Sequence, residues 1–123
     1  MNPKDAIGMN KVNMFLVPPS AKMSIAEGLM DGAVKYGPWN WRDQPIQLSE
    51  YIAAMYRHMD AWVDGETYAR DSGKHHLSHA IATLAIIIDA SQAGTLIDDR
   101  PAVGSFTADR QLVIEENNKC RSK

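Results

Sequence analysis

Imidazole and carboxylate side chains gather in two neighbouring stretches of the sequence. His58 and Glu66 lie in the first stretch, and Asp71, His76 and His79 lie in the second. On a helix, an H-x-x-H pair such as His76 and His79 presents two imidazoles to one ion, although two ligands do not make a site. Together with the nearby acids, the pair predicts an oxygen-and-nitrogen cluster for a divalent cation. The alternative is a wet acidic surface beside half-buried histidines.

The segment KYGPWNWR, residues 35–42, places two cations, three aromatic rings and one amide within eight residues. Aromatic rings stack on nucleobases, and Lys and Arg side chains hold phosphates. The alternative is that the two tryptophans only plug the edge of the core, since large aromatic rings are usually well buried. The composition of the segment leaves both interpretations open.

Asp31 and Lys35 lead into this aromatic segment. They are four residues apart, so on a helix they share one face and form a favourable ion pair. Glu27 lies on the same face, and with Ser24 it matches the S-x-x-E capping box. We therefore assign Glu27 to the helix cap and keep Asp31 as a candidate ligand.

The elements that must position these side chains are helices. The capping box and the Gly37-Pro38 stop predict a first helix over residues 24–36. An apolar stripe of helical period predicts a second helix over 49–65, and a third runs from near residue 72 to 94. Because the third is apolar nearly all round, one of its sides must be covered by another subunit. The fold class is all-α, a bundle of three main helices completed by oligomerisation into a dimer or tetramer.

The two ends of the chain carry weaker patterns. Residues 1–20 contain three prolines and predict an irregular arm. Residues 102–123 form a C-terminal tail, with a possible short helix over 107–116. The helical domain itself is expected to span residues 1–101.

Composition excludes several classes of protein. The 123 residues fit one domain, and a net charge of −2 provides no basic field for a nucleic acid polymer. The single cysteine excludes an internal disulfide and indicates a reducing compartment. No apolar run reaches about 18 residues, and the polar N-terminus does not match a signal peptide. We expect a cytoplasmic protein that neither crosses nor binds a membrane.

Six segments occur in an order that identifies a family: NPKDAIG, LVPPSA, LMDGAVKYGPWNWR, RHM-x-x-W-x-x-GE, SG-x-x-HL and AGTLIDDRP. Over residues 2–101 the chain resembles the bacteriophage dATP/dGTP diphosphohydrolases, which are MazZ-like relatives of the all-α MazG pyrophosphatases. The resemblance implies a helical, oligomeric, metal-dependent hydrolase of purine deoxynucleoside triphosphates. Such an enzyme cleaves between the α and β phosphates and releases pyrophosphate in the cytoplasm of the infected cell. The dGMP formed serves phages that replace adenine with 2-aminoadenine.

The chain departs from the MazG pattern at the metal ligands. MazG enzymes use E-x-x-E and E-x-x-D pairs on two successive helices, and neither motif occurs here. The matching places hold Arg57 and His58 on the second helix and His76 and His79 on the third. Imidazole ligands would favour Mn²⁺ or Co²⁺ over Mg²⁺.

We assign candidate roles on the residues and on the resemblance together. A metal-bound water would lose its proton to His58 or to an acidic partner, and cations would steady the phosphates. The candidate catalytic residues are Glu66, His58 and Asp71. The candidate substrate-binding residues are Lys35, Tyr36, Asn40, Trp41 and Arg57. The candidate metal ligands are Asp31, His58, Glu66, Asp71, His76 and His79.

Two other classes of function stay open. The missing acidic pairs favour a non-catalytic, nucleotide-binding or regulatory helical oligomer. The apolar third helix is also typical of a structural interaction module.

Overall fold

The protein is all-α, as predicted, apart from one very short pair of strands. The computed structural model describes residues 1–102, 104, 106 and 115–119. Its helices are α1 (Pro3–Gly8), α2 (Pro19–Tyr36), α3 (Asn40–Asp43), α4 (Leu48–Val63) and α5 (His76–Ala93), with a 3-10 turn at Met14–Leu16. Strands β1 (Ile46–Gln47) and β2 (Leu96–Ile97) pair in parallel, with Ile46 opposite Leu96.

Helix α5 is the centre of the fold, because both α2 and α4 pack against it. Apart from His76, its buried positions carry the small side chains Ser78, Ala80, Ala82 and Ala90. At the contact with α2, a Cβ on Gly28 would overlap the carbonyl oxygen of Ser78 and the Cβ of Ala82. Small residues on both helices therefore allow their backbones to approach closely.

A small hydrophobic core lies at the C-terminal end of α5. Trp41, Ile46 and Ala90 form its buried centre, and half-buried apolar side chains from α2, α4 and α5 pack around them. The strand pair then brings the chain back to the start of α4. There Asp99 accepts hydrogen bonds from the Ser49 backbone N–H (2.8 Å) and from the Ser49 hydroxyl.

The predicted start of the first helix is wrong by five residues. Helix α2 begins at Pro19, which is well suited to the first helical position because its missing N–H has no partner there. Ser24 and Glu27 therefore lie inside the helix, and the capping box does not form. The predicted end is confirmed: the chain leaves the helix at Gly37, whose φ of +86° favours glycine.

The other boundaries differ by smaller amounts. Helix α4 lies within two residues of the predicted 49–65, and α5 ends one residue before Gly94 as expected. Helix α5 starts at His76 rather than near residue 72, because the His75 side chain caps it: His75 Nδ1 accepts from the Leu77 N–H at 2.9 Å. Residues 40–43, which follow the Gly37-Pro38 stop, form one helical turn, and the N-terminal arm, predicted to be irregular, contains α1.

An apolar stripe on α5 stays uncovered in the single chain. Leu84 is exposed, and Ile88 is 61% exposed. In the part of the chain that the structure describes, no helix is long and apolar enough to cross a membrane. Of the tail helix predicted over 107–116, residues 107–114 lie outside the described residues, whereas 115 and 116 are helical and the helical backbone continues to 119.

Candidate active site

Three side chains from separate parts of the chain form a continuous hydrogen-bonded row. His58 comes from α4, His76 from the first turn of α5, and Glu66 from the loop between them. His76 Nε2 lies 2.8 Å from Glu66 Oε1, and His76 Nδ1 lies 2.8 Å from His58 Nδ1. His76 is only 5% exposed, so its two ring nitrogens depend on these partners. We call Glu66, His76 and His58 the histidine row.

The hydrogen bonds of the row fix its tautomers. A carboxylate only accepts, so His76 must carry its proton on Nε2 and donate it to Glu66. His76 Nδ1 then has a free lone pair and accepts the proton on His58 Nδ1. His58 Nε2 is consequently left as a proton acceptor. The row therefore ends in a nitrogen that can take a proton from a ligand or a water.

A third imidazole supports the row from the side. The His79 ring stacks on the His58 ring, with 4.4 Å between centroids and 15° between planes. His79 Nε2 is 2.7 Å from the hydroxyl of Ser72. The stacking restricts the orientation of the His58 ring, and the contact with Ser72 restricts the orientation of the His79 ring.

The electrostatics favour a neutral histidine beside an ionised carboxylate. Burial lowers the pKa of His58, and the neighbouring His79 and His76 rings lower it further. The hydrogen bond from His76 lowers the pKa of Glu66. At neutral pH Glu66 is thus charged, whereas His58 is uncharged and keeps its lone pair.

One cation lies at the edge of the cluster, between two acids. Lys35 Nζ is 3.0 Å from Asp31 Oδ2 and 3.7 Å from Asp71 Oδ2. Burial lowers the pKa of His79, whereas the charges of Asp31 and Asp71 act in the opposite direction. Hydrogen bonds from its own backbone and that of Ser72 lower the pKa of Asp71, which keeps that acid ionised. The predicted ligands Asp31, His58, Glu66, Asp71, His76 and His79 therefore do come together around the first turns of α5.

The donors of this cluster do not fit a metal ion as they are arranged. Both nitrogens of His76 point at other side chains, and each of Glu66, Asp31 and Asp71 pairs with a cation or an imidazole. Across the described residues, no group of three or more His, Cys, Asp or Glu side chains could hold a metal. The predicted cation stays a prediction, and no chemical step is derived through it.

An apolar pocket of about 390 Å³ lies between α2, α3, α4 and α5. Its size falls in the range of small-molecule sites, about 300–1,000 Å³. Aromatic rings form much of its wall. It is lined by Leu29, Gly32, Ala33, Tyr36, Gly37, Pro38, Trp39, Asn40, Trp41, Tyr51, Ala85, Ile86 and Asp89.

The two tryptophans of the pocket have different roles. Trp41 is 8% exposed, belongs to the hydrophobic core, and donates from Nε1 to Asp89 Oδ2 at 2.7 Å. Trp39 is 56% exposed, and its ring centroid lies 5.5 Å from that of Trp41. The expected plugging of the core edge applies to Trp41, which leaves Trp39 as the more accessible of the two tryptophan rings.

The pocket and the histidine row lie along the same faces of α4 and α5, and we call the strip between these two faces the groove. Tyr51 lines the pocket, and His58 lies seven residues later on the same face of α4. Ile86 and His79 are likewise seven residues apart on α5. Two helical turns correspond to about 10 Å along the helix axes.

The remaining candidates lie in the pocket wall or on the surface of α4. Tyr36 and Asn40 line the pocket, and Arg57 is exposed on α4, where its charge contributes to the low pKa of His58. Sequence reasoning gave no role to Ser72 or Asp89. Asp89 did carry a signal, since it is the sole Asp, Glu, Lys or Arg between residues 77 and 97.

The chain is thus an all-α domain that carries an aromatic pocket and a histidine–carboxylate row. Residues 1–100 match the family model described as dATP/dGTP diphosphohydrolase, N-terminal, and the chain belongs to this family. The family name indicates a hydrolase that acts on the phosphoric anhydrides of dATP or dGTP. Neither the curated proteins nor the solved structures gave a match to the chain.

Proposed function

We propose that this chain cleaves dGTP, dATP or both between the α and β phosphates, giving the deoxynucleoside monophosphate and pyrophosphate. The family supports the substrate class and the type of bond. The observation that carries the proposal is the groove in which the aromatic pocket and the histidine row lie two helical turns apart.

In this proposal the purine occupies the aromatic pocket. A flat bicyclic base stacks on an aromatic ring, and each stacked base is worth about 1–3 kcal/mol. Trp39 offers an exposed ring there, and Asn40 offers an amide that can bond to the edge of the base. The pocket is otherwise apolar, which favours a base over a sugar or a phosphate.

The triphosphate then extends along the groove toward the histidine row. Lys35 lies at that end, and its ammonium group is held by Asp31 and Asp71 rather than buried. A cation near the phosphates offsets charge on the leaving pyrophosphate. Arg57 is exposed nearby and can add to this field.

The proton step follows from the tautomers of the row. A water attacks the α phosphorus, and its proton passes to His58 Nε2 as the new O–P bond forms. The bond from the α phosphorus to the bridging oxygen breaks, and pyrophosphate leaves with the electron pair. Glu66 and His76 hold the His58 ring in the tautomer that accepts this proton.

Three further parts of the proposal rest on the resemblance rather than on the groove. A divalent cation, Mg²⁺, Mn²⁺ or Co²⁺, takes part in the reaction. The enzyme works in the cytoplasm of a phage-infected cell, where it shapes the nucleotide pool and supplies dGMP for 2-aminoadenine nucleotides. Removal of metal with EDTA, followed by addition of each cation in turn, tests the first of these.

We also propose that the functional unit is a homo-oligomer. Residues Leu84 and Ile88 leave an apolar stripe on α5 that the single chain does not cover. Association of two such stripes would bury apolar surface at about 25 cal/mol per Å². Dimer and tetramer both satisfy this condition.

The test of function is a substrate screen with the four deoxynucleoside triphosphates and Mn²⁺. We expect pyrophosphate from dGTP or dATP and little from dCTP or dTTP, because a pyrimidine stacks over a smaller area. Binding of dGTP by calorimetry without any hydrolysis would favour the regulatory alternative. Absence of both binding and hydrolysis would favour an interaction module and contradict the proposal.

A further inference from the structure

Trp39 has a backbone conformation that its side chain disfavours. Its φ of 59° and ψ of 23° lie in the left-handed region, and among the described residues it is the one non-glycine with a positive φ. A bulky residue stays there only where its surroundings impose it. Burial of the ring is no explanation, since Trp39 is largely exposed. The strained backbone of Trp39 therefore holds an accessible ring in place.

Two charged groups hold that ring in place. The Arg42 guanidinium carbon lies 4.4 Å from the centroid of the Trp39 ring. Arg42 in turn makes a two-pronged contact with Asp89 on α5, with 2.8 Å for each N–H to oxygen distance. Asp89 also accepts from Trp41 Nε1. These contacts lower the pKa of Asp89 to about 2, so the acid is ionised and anchors the arrangement.

We infer that Trp39 is the residue that stacks on the purine, and that Asp89 is its positioning residue, acting through Arg42. The inference rests on the proposed function, which it deepens by naming the ring that binds the base. Trp41 also lines the pocket, but it is 8% exposed and its Nε1 donates to Asp89, so Trp39 offers the larger free ring face. The guanidinium on one face of Trp39 also polarises the ring, which strengthens stacking on an electron-rich base.

The first test compares Trp39→Ala with the wild type. Loss of one stacked base should raise KM for dGTP by about 5- to 100-fold and leave kcat nearly unchanged. Trp39→Phe should restore most of the affinity. Inorganic tripolyphosphate, which has no base, should bind wild type and Trp39→Ala equally. Trp62→Ala is the matched control, because Trp62 lies on α4 outside the pocket.

The second test separates positioning from packing. Asp89→Asn keeps an acceptor for Trp41 but loses the ionic contact with Arg42, so KM should rise while kcat is retained. If Asp89 acts through Trp39, the double variant should have the same KM as Trp39→Ala alone. Additive effects on KM would overturn the role given to Asp89.

The third test uses the strained backbone and needs no activity. Glycine adopts a positive φ more readily than alanine, and both variants lack the ring, so Trp39→Gly should have a higher thermal midpoint than Trp39→Ala. A midpoint for Trp39→Gly below that of Trp39→Ala would show that the backbone is not strained there and would overturn the inference. Unchanged KM in Trp39→Ala, with active wild type, would overturn it as well while leaving the proposed function intact. Wild type that neither binds nor hydrolyses dGTP would contradict the function itself.

Discussion

Replacement of Glu66 by glutamine tests the histidine row at its carboxylate end. The substitution keeps the shape of the side chain and removes its charge. In the wild type, Glu66 can only accept, which places the His76 proton on Nε2. Glutamine can instead present its NH₂ group to His76, which then carries its proton on Nδ1. That proton would face His58 Nδ1 and move the His58 proton to Nε2, where the reaction needs a lone pair.

The size of the effect follows from the geometry. Where a carboxylate directly fixes a catalytic histidine, its amide costs about 10⁴ in kcat. Glu66 acts through one intervening imidazole, and 34% of its side chain is exposed, so water screens part of its charge. We expect kcat to fall about a hundredfold, which corresponds to about 2.7 kcal/mol in the transition state. KM for dGTP should change little, because Glu66 does not line the pocket.

The assay is steady-state release of pyrophosphate from dGTP, with the thermal midpoint of each variant measured alongside. Arg70→Gln is the control, since Arg70 is exposed and contacts the other oxygen of Glu66 at 3.1 Å. It should stay within about threefold of wild type, as expected for an exposed ion pair. Turnover of Glu66→Gln within threefold of wild type would refute the tautomer argument.

Three other predictions concern protonation, packing and assembly. The neutral form of His58 is the active one, and its pKa is lowered by its surroundings. We therefore expect kcat/KM to fall only as the pH drops below about 6.5. A fall in kcat/KM that is centred well above pH 6.5 would contradict this prediction. Gly28→Ala should lower the free energy of unfolding in urea by about 1–3 kcal/mol, because the new Cβ overlaps α5. Gly32→Ala, whose Cβ would have no atom within 4 Å, should raise that free energy by up to about 1 kcal/mol. Equal effects of the two variants would refute the close contact between α2 and α5. Sedimentation should give a mass well above 13.6 kDa, and a stable monomer at micromolar concentration would exclude the oligomer.

The sequence predicts the helices well because their signals are local. The stripe of α4 and the stop at Gly37 depend on residues within a few turns of one another. The start of α2 was missed because Pro19 and Ser24 both offer plausible first turns. The S-x-x-E pattern carries no information about which of them the rest of the fold prefers.

The candidate site is only partly predictable, because its contacts join residues that are distant in the sequence. Histidines and acids in two stretches indicated a cluster, and the structure brings them together. Their pairing could not be read from the sequence, because His58 and His76 meet only once α4 and α5 are packed. The contact of Asp89 with Trp41 spans 48 residues and has no local signature. The different exposures of Trp39 and Trp41 follow from that contact.

The most direct test of the central claim is the identity of the products. We would incubate the purified chain with dGTP and Mn²⁺ and follow the phosphorus-31 spectrum, with His58→Asn as the comparison. We predict dGMP and pyrophosphate in equal amounts, and a His58→Asn variant that binds dGTP with little product. Release of orthophosphate with dGDP, or equal turnover by His58→Asn, would contradict hydrolysis at the α phosphorus by the histidine row.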